Sequence, residues 1–363
     1  MRDYGGVRGI SHSASTTTNV IPEKDFPDQI HGQVGANLRR PECVLAHQSG
    51  LLIVPNWTGT GGISLISPTG CTHHILADSA KPVRPNGIAL ENDGSVLLAH
   101  MGETRGGIYR LTAGGRIDCV VTTVDGEPMP PTNFIVQDSR DRNWITVSTR
   151  KTPRASDYRQ DACTGFIAVA EPGSTDATIV ADGLGYTNEC VIDERNGYVW
   201  VNETFGRRLT RFTLHDASGE PPRLENRQLV HEFGAGTYPD GLALDETGCL
   251  WITSIVSNRI LKVSPCGLCT IMFEDSDTHH LAWTETAFQN NTLGREHLDK
   301  ACGAQMKNVS NLAFGGPDRC RMYLGNLLGD SLPYFDTQTR GVAMPHWDVD
   351  LGPLKHYTTG NHS

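Results

Sequence analysis

The sequence predicts an all-β protein folded as a six-bladed β-propeller, and three observations lead to this fold class. Residues 238–263 contain three short apolar runs separated by turn residues, a pattern typical of a β-meander. An apolar strand, a turn containing Asp or Gly and a second apolar strand recur six times along the 363 residues. The copies follow one another at about the length of a four-stranded blade, so a ring of six blades explains the repetition.

Each copy carries one polar residue at the point where its first strand begins. In the copy at residues 238–263 this residue is a carboxylate between Pro239 and Gly241, directly before an apolar strand. A simple meander does not require a carboxylate there. We align the equivalent positions of the six copies as Glu42, Asn86, Asn133, Asn188, Asp240 and Asn311.

The repeats place all blades in a single domain, residues 36–350. Residues 1–35 match no blade and are predicted to be an extension or a strap across the surface, and residues 351–363 a C-terminal tail. The polar connection 275–307 lacks strand alternation, so we expect a loop with one or two helical turns; a connection of this length is usually functional. The expected blades span about residues 39–77, 81–123, 130–180, 185–233, 238–274 and from 309 onward.

Composition excludes several classes of function. The net charge of −10 and the isoelectric point near 5.8 argue against nucleic acid or an anionic membrane as a partner, because both need a clustered basic surface. No apolar segment reaches the length of a membrane span, and residues 1–20 lack the apolar core of a signal peptide, so we predict a cytoplasmic protein. Most of the ten cysteines lie beside apolar strands, and Cys266 and Cys269 have no second pair at zinc spacing. We interpret them as structural.

Topology predicts which segments share a face. Because successive strands of a meander are antiparallel, the starts of the first strands, the connections between strands two and three and the connections between blades lie on one side. The loops around Trp57, His100, Arg154 and Asn202 should therefore meet the connection 275–307 at one mouth of the central channel. The other mouth should receive only tight turns.

Innermost strands of a propeller run beside the channel, so the residues at their starts converge on one axis. Glu42, Asn133, Asn188 and Asp240 would then offer two carboxylates and two amide oxygens, which suit Ca²⁺, with Zn²⁺ or Mn²⁺ as alternatives. The alternative interpretation is that these residues only start turns, as Asn and Asp before Gly commonly do. Asn86, a further amide at the same position, is either a substrate contact or another such turn residue.

The motifs Pro239-Asp-Gly-Leu-Ala-Leu-Asp, Thr132-Asn133 and Pro41-Glu42, together with Asn188, resemble the senescence marker protein 30 (SMP-30)/gluconolactonase/luciferin-regenerating-enzyme-like family. The resemblance covers roughly residues 40–345. It implies a six-bladed propeller that holds a divalent metal with Glu42, Asn133, Asn188 and Asp240. It also implies hydrolysis of a lactone, with Asp240 as a metal ligand and the general base.

Two departures from the family pattern concern the substrate. Asn133 is followed by Phe134 where relatives acting on sugar lactones often have Asp, and Pro131 stands where some carry Arg. We therefore expect that the substrate is not a plain sugar lactone, and that a less polar lactone or another ester-like molecule is bound. Asn86, His100, Phe134 and Trp57 are the candidate substrate contacts, although a histidine such as His100 is commonly just a surface residue.

The residues support hydrolysis by metal-activated water, with Asp240 as the acceptor of the proton. No Gly-x-Ser-x-Gly nucleophile motif is present. Three hypotheses about the function remain. The protein is a lactonase, an enzyme that catalyses another reaction on the same scaffold, such as phosphotriester hydrolysis or a metal-free condensation, or a ligand-binding propeller with a structural metal. The first two expect a small-molecule substrate, the third expects a small ligand or a protein at the mouth, and the oligomeric state is not predicted.

Overall fold

The computed structural model describes residues 26–217 and 220–358, and it confirms the six-bladed β-propeller. The described residues form six sheets, one for each blade, and each blade contains four antiparallel strands. The first strand of each blade lies innermost, next to the central channel, and later strands lie progressively further out. We number the strands in chain order, starting with β1 (Gly32–Val34).

Short turns and longer loops connect the strands of the first three blades. A further hairpin, β10 (Thr123–Val124) and β11 (Glu127–Pro128), extends the third sheet by pairing in parallel with its outermost strand. Blade one contains β2 (Leu45–Ala46), β3 (Leu52–Asn56), β4 (Gly62–Ile66) and β5 (Thr72–Leu76). Blade two contains β6 (Pro85–Leu90), β7 (Val96–His100), β8 (Ile108–Leu111) and β9 (Ile117–Val121). Blade three contains β12 (Phe134–Gln137), β13 (Asn143–Val147), β14 (Gly165–Ala170) and β15 (Asp176–Leu184).

The remaining three blades have the same order of strands. Blade four has the longest outer strands, and blade six takes its outermost strand from the N-terminal region. Blade four contains β16 (Thr187–Asp193), β17 (Tyr198–Glu203), β18 (Arg208–His215) and β19 (Arg223–Glu232). Blade five contains β20 (Tyr238–Leu244), β21 (Leu250–Ile255), β22 (Arg259–Val263) and β23 (Cys269–Glu274). Blade six contains β24 (Val309–Gly315), β25 (Arg321–Asn326) and β26 (Leu332–Asp336), together with β1.

The prediction that residues 1–35 form an extension outside the blades is wrong for residues 32–34. Gly32–Val34 pair antiparallel with β26 and complete blade six, so the ring is closed by a strand from the beginning of the chain. Three residues are too few to show the alternation of a strand in the sequence. Residues 1–25 of the predicted extension and residues 359–363 of the predicted tail lie outside the described residues.

Recurring tryptophans fix the tight turns between the first and second strands. The Nε1 of Trp144 donates a hydrogen bond to Asp138 Oδ2 (2.8 Å), and the Nε1 of Trp251 donates to Asp245 Oδ2 (2.9 Å). The other oxygen of each carboxylate accepts backbone N–H groups of its own turn. Both indoles are fully buried, so these residues pack the blades.

A β-bulge at the start of the innermost strand turns the polar residue toward the axis. In blade five the register shifts between Pro239 and Leu242, so two residues, Asp240 and Gly241, stand opposite Thr253 alone. Blades two, four and six have the same irregularity at the same place. A bulge redirects a side chain that regular pairing would point into the blade.

The connection 275–307 is more helical than the sequence predicts. It contains α1 (Thr278–Gln289), which begins at Asp277, and α2 (Arg295–Asp299). The Asp277 Oδ1 atom accepts the N–H groups of residues 279 and 280, a side-chain cap that starts the helix. Two 3₁₀ helices, Arg154–Asp157 and Gly352–Thr358, lie in the blade-three loop and near the C-terminus.

The second mouth of the channel does not receive turns alone, contrary to the prediction. A segment after β26, residues 337–349, crosses it: Val342 N–H donates to Leu244 O (2.9 Å), and the Trp347 carbonyl accepts Gln48 N–H (2.9 Å). Between this segment and the innermost strands lies a largely apolar cavity of about 450 Å³. The C-terminal segment therefore covers the channel on this side.

Two further observations concern membrane spans and cysteines. Within residues 26–217 and 220–358, no helix has the length and apolar character needed to cross a bilayer. No disulfide joins the ten cysteines, all of which lie in the described part of the chain. Cys269 is buried and Cys266 is exposed, in keeping with their interpretation as structural residues of a hairpin.

Candidate functional site

Three asparagines join neighbouring blades at the first mouth of the channel. Asn86 Nδ2 donates a hydrogen bond to Asn133 Oδ1 (3.2 Å), and Asn133 Nδ2 donates to Asn188 Oδ1 (2.7 Å). Asn188 Nδ2 donates in turn to Thr204 Oγ1 (2.9 Å). All three amides are buried, although they come from blades two, three and four. The starts of these innermost strands therefore meet around the axis, as the repeat alignment predicts.

Two carboxylates, from blades one and five, complete the set of polar side chains around the channel axis. Glu42 and Asp240 are only 7% and 4% exposed. Burial raises the pKa of the Asp240 carboxyl well above its ordinary value, and the charges of Glu42 and Glu189 raise it further. Asn188 and the Arg40 guanidinium act in the opposite direction. The four predicted metal ligands thus lie in one buried layer.

Blade six departs from the alignment of the sequence repeats. Val309 pairs with Asn326 and Asn311 with Gly325, which makes Ser310 the extra residue of the bulge and the structural equivalent of Asp240. The placement of Asn311 at the start of the strand is therefore wrong by one residue. We call the six equivalent positions the first layer: Glu42, Asn86, Asn133, Asn188, Asp240 and Ser310.

The residues one position further along each innermost strand form a second layer. This layer lies between the first layer and the largely apolar cavity. Within it, Asn311 Nδ2 donates to both carboxylate oxygens of Glu189 (2.8 and 3.0 Å), and Leu242 N–H donates to Glu189 Oε2 (3.0 Å). Burial raises the pKa of the Glu189 carboxyl to about 8, although these hydrogen bonds lower it. The second layer consists of Cys43, Gly87, Phe134, Glu189, Gly241 and Asn311.

The predicted substrate contacts are divided between the two layers and the mouth. Asn86 lies in the first layer, and its Oδ1 is buried without a hydrogen-bond donor among the described residues. Phe134 instead lines the central cavity, and its ring lies where a Cβ on Gly87 would be. The structure therefore does not bring Phe134 to the mouth with Asn86.

Trp57 and His100 lie on the loops of blades one and two. The Trp57 indole donates to Pro85 O (2.6 Å) and lies under the Arg40 guanidinium, 4.5 Å from the ring centre. The Arg84 N–H donates to His100 Nδ1 (2.9 Å), so the neutral ring carries its proton on Nε2. Burial lowers the pKa of His100, and the Arg84 charge lowers it further. His100 is thus positioned as a neutral hydrogen-bond donor.

Two arginines that the sequence does not assign to the site lie within it. Arg40 has a positive φ of 57°, and its Nη2 lies 2.8 Å from Glu42 Oε2. Arg154, from the long blade-three loop, donates to Asn133 Oδ1 (3.3 Å). The Arg-Pro pair before Glu42 was a signal for the first. The predicted topology brings the loop of Arg154 to this mouth, but the composition of the loop does not indicate that this side chain turns inward.

The first layer has the composition that a divalent cation requires. The charge of Glu42 makes the buried Asp240 carboxyl harder to ionise, and a bound dication would relieve this repulsion. Among the described residues, no three His, Cys, Asp or Glu side chains are grouped as a metal site. A metal would therefore also need the amide oxygens of Asn133 and Asn188, and hard cations accept such ligands.

An aromatic cluster and the helical connection cover the mouth. Phe288 of α1 packs against Tyr238 and Phe205, with ring centres 5.5 and 6.4 Å away. The α1 residue Glu285 accepts hydrogen bonds from the Tyr238 hydroxyl (2.6 Å) and from the Arg207 guanidinium. The prediction that the connection 275–307 shares the face of the polar residues is borne out by these contacts.

Comparison with known proteins supports the same fold and family. Residues 105–274, from blade two to the end of blade five, match the model of the SMP-30/Gluconolactonase/LRE-like region. Over 93 residues the chain is 32% identical to 6-deoxy-6-sulfogluconolactonase of Pseudomonas putida, a match covering 25% of this chain. The match spans only 31% of the length of that relative.

Solved structures of low sequence identity share the fold across most of the chain. Regucalcin of Agrobacterium tumefaciens, described as a calcium-binding protein, has a TM-score of 0.61 at 16% identity, covering 88% of this chain and 98% of its own. A gluconolactonase from Xanthomonas campestris has a TM-score of 0.59 at 16% identity, with coverages of 89% and 97%. A luciferin-regenerating enzyme has a TM-score of 0.59 at 15% identity, with coverages of 89% and 96%.

At these identities the structural likeness shows the fold alone, whereas the family match rests on sequence. The resemblance indicated by the Pro-Asp-Gly and Thr-Asn motifs is thereby confirmed. The match to the SMP-30/Gluconolactonase/LRE-like region covers residues 105–274, which is just under half of the 363 residues.

Proposed function

We propose that this protein is a divalent-metal-dependent hydrolase that opens a lactone to its hydroxy acid. The observation that carries the proposal is the convergence of Glu42, Asn133, Asn188 and Asp240 in one buried layer. The match to a family that includes gluconolactonases supports the reaction class. Ca²⁺ is the metal we expect, because all donors are oxygens and a protein of the same fold is described as calcium-binding.

The four side chains would hold the metal through their carboxylate and amide oxygens. When bound, a divalent cation polarises a carbonyl oxygen and makes water more acidic. The protein supplies the geometry: Thr204 accepts from Asn188 Nδ2, which fixes the orientation of the Asn188 amide. The second layer closes the channel behind the site, so the reacting carbonyl would enter from the mouth.

Asp240 is the general base in this proposal. A water molecule attacks the acyl carbon while Asp240 accepts its proton, and the ring oxygen then leaves and takes that proton as the new hydroxyl group. Burial and the neighbouring Glu42 and Glu189 raise the pKa of Asp240, which makes its ionised form a stronger proton acceptor. Arg40 favours the ionised form and keeps it accessible.

Other residues at the mouth would bind the rest of the lactone. The Asn86 Oδ1 atom can accept a hydrogen bond from a ring hydroxyl, and the Nε2–H of His100 can donate to an oxygen. Trp57 offers an apolar face on the side of blade one. Phe134 is not among these substrate-binding residues, because it lines the cavity on the far side of the second layer.

Proton release on a panel of γ- and δ-lactones, with and without EDTA, tests the proposal. We expect hydrolysis that EDTA removes and Ca²⁺ restores. Hydrolysis of phosphotriesters but not of lactones would replace the reaction class while keeping the metal site. Metal binding without hydrolysis of any substrate would favour a ligand-binding propeller.

A further inference from the structure

The blade-three loop, residues 148–163, carries four basic side chains, and three of them are neutralised by acidic partners. Arg150 pairs with Asp182 (2.8 Å), Lys151 with Asp157 (2.7 Å) and Arg159 with Asp161 (2.8 Å). The fourth, Arg154, forms no ion pair with any carboxylate in the described part of the chain. The loop thus has one uncompensated positive charge.

Arg154 is also the basic side chain of this loop that points into the site. Its Nη2 donates to Asn133 Oδ1 (3.3 Å) and to Ser148 Oγ (3.0 Å), and its guanidinium lies 5.6 Å from the centre of the Tyr186 ring. Its Nη1 is buried and has no hydrogen-bond acceptor among the described residues. A buried guanidinium N–H without an acceptor is costly, so a ligand atom that accepts its hydrogen bond would stabilise it.

The position of this charge beside a proposed dication site would favour the binding of an anion. Two positive charges on either side of Asn133 repel each other in a buried setting. Glu42 does not compensate Arg154, because its nearest cationic partner is Arg40 at 2.8 Å. A guanidinium N–H donates a charge-assisted hydrogen bond to a carboxylate, sulfonate or phosphate oxygen, and the free Nη1 can make such a contact.

We propose that Arg154 binds an anionic substituent of the substrate, and that the enzyme therefore acts on lactones that carry a carboxylate, sulfonate or phosphate group away from the ester. This inference rests on the proposed lactonase function and narrows its substrate class. The curated relative from Pseudomonas putida is named for a sulfonated gluconolactone, which agrees with this chemistry. The expectation of a less polar lactone is thereby replaced, since Phe134 lies in the second layer and Arg154 at the mouth.

Turnover of matched lactones tests the proposal. The set is D-gluconolactone, its C6-carboxylate analogue D-glucarolactone, and 6-deoxy-6-sulfogluconolactone, each assayed with Ca²⁺. We expect the wild-type kcat/KM to be at least about 100-fold higher for a charged lactone than for the neutral one, because a buried charge pair contributes a few kcal/mol. Arg154→Met should remove this preference, and Arg154→Lys should retain part of it.

Arg150→Met is the matched control, since it removes an arginine from the same loop whose charge is already neutralised by Asp182. We expect this variant to keep the wild-type preference. An equal loss for neutral and charged lactones in Arg154→Met would mean that Arg154 acts on the reacting carbonyl, and would overturn the proposal. A larger effect for the sulfonate than for the carboxylate, or the reverse, identifies the anion.

Binding of open-chain products provides a readout that does not depend on turnover. By calorimetry with Ca²⁺ present, wild-type protein should bind the dicarboxylate glucarate at least about tenfold more tightly than the monocarboxylate gluconate. Arg154→Met should bind both equally. If no lactone is hydrolysed but this difference persists, the proposed function fails and the anion site stands; if wild-type protein shows no difference, the anion site is refuted.

Discussion

The first and second layers are adjacent positions on the same six strands, yet they differ in what their side chains offer. The first layer presents oxygen atoms to the mouth, among them the free Oδ1 of Asn86. In the second layer the Glu189 carboxylate is instead bound by Asn311 and Leu242, and Phe134 fills the space beside Gly87. A shift of one residue along a strand thus separates side chains that can bind a ligand from side chains that close the channel.

Asp240→Asn tests the first layer most severely. The amide keeps the size of the side chain but cannot accept a proton from water, so we expect lactone hydrolysis to fall by about 1000-fold. Circular dichroism should show an unchanged fold, because the backbone around Asp240 is held by Asn202 Nδ2, which donates to the carbonyls of Asp240 and Gly241 (3.1 and 3.0 Å). Activity within tenfold of wild type would remove Asp240 from its assigned task.

Asn311→Ala is the corresponding change in the second layer, and we expect it to act on stability. It removes both hydrogen bonds to Glu189 and leaves the Val44 N–H without its acceptor, at a cost of about 3 kcal/mol. Urea unfolding measures this loss. Because the side chain lies behind the site, kcat/KM should change by less than about tenfold; a loss as large as that of Asp240→Asn would abolish the distinction between the layers.

Calcium should stabilise the protein through the first layer. A ligand that binds the folded state at 100 times its Kd adds about 2.7 kcal/mol to the free energy of unfolding. We therefore expect Ca²⁺ to raise the Tm of EDTA-treated wild-type protein and of Asn311→Ala, measured by differential scanning calorimetry. Glu42→Gln, which removes a carboxylate ligand, should show a much smaller increase. The same increase in Glu42→Gln and wild type would place the ion elsewhere.

The smallest predicted effect concerns the opposite mouth. Burial lowers the pKa of His346 to about 4 from 6.5, and His47 contributes to this shift. Between these values the unfolded chain binds more protons than the folded protein, so stability should fall as the pH is lowered from 6.5 to 4. We expect His346→Leu to flatten this dependence by about 1–2 kcal/mol. Equal slopes in wild type and His346→Leu would contradict the assignment.

The blades could be predicted from the sequence because each one repeats the same local pattern. The starts of five innermost strands were identified correctly, since a Pro or Thr before the polar residue marks them. Blade six was misaligned by one residue because Ser310 and Asn311 are both polar, and only the pairing of Asn311 with Gly325 distinguishes them. Local pattern determines the presence of a strand but not the register at a bulge.

Features made by distant segments could not be predicted. Strand β1 pairs with β26 from the other end of the chain, and three residues carry no period of their own. The C-terminal segment lies across the second mouth through backbone hydrogen bonds, which any sequence can make. Arg154 reaches the site because its loop folds inward around residues 154–157, and the direction of a loop depends on packing rather than on its composition.

Anomalous diffraction from crystals soaked in Mn²⁺ is the most direct test of the central claim, that the first layer holds a dication. We predict one strong peak on the channel axis, within about 2.5 Å of oxygens from Glu42, Asn133, Asn188 and Asp240. A peak among other residues, or none at a concentration that supports lactone hydrolysis, would contradict it.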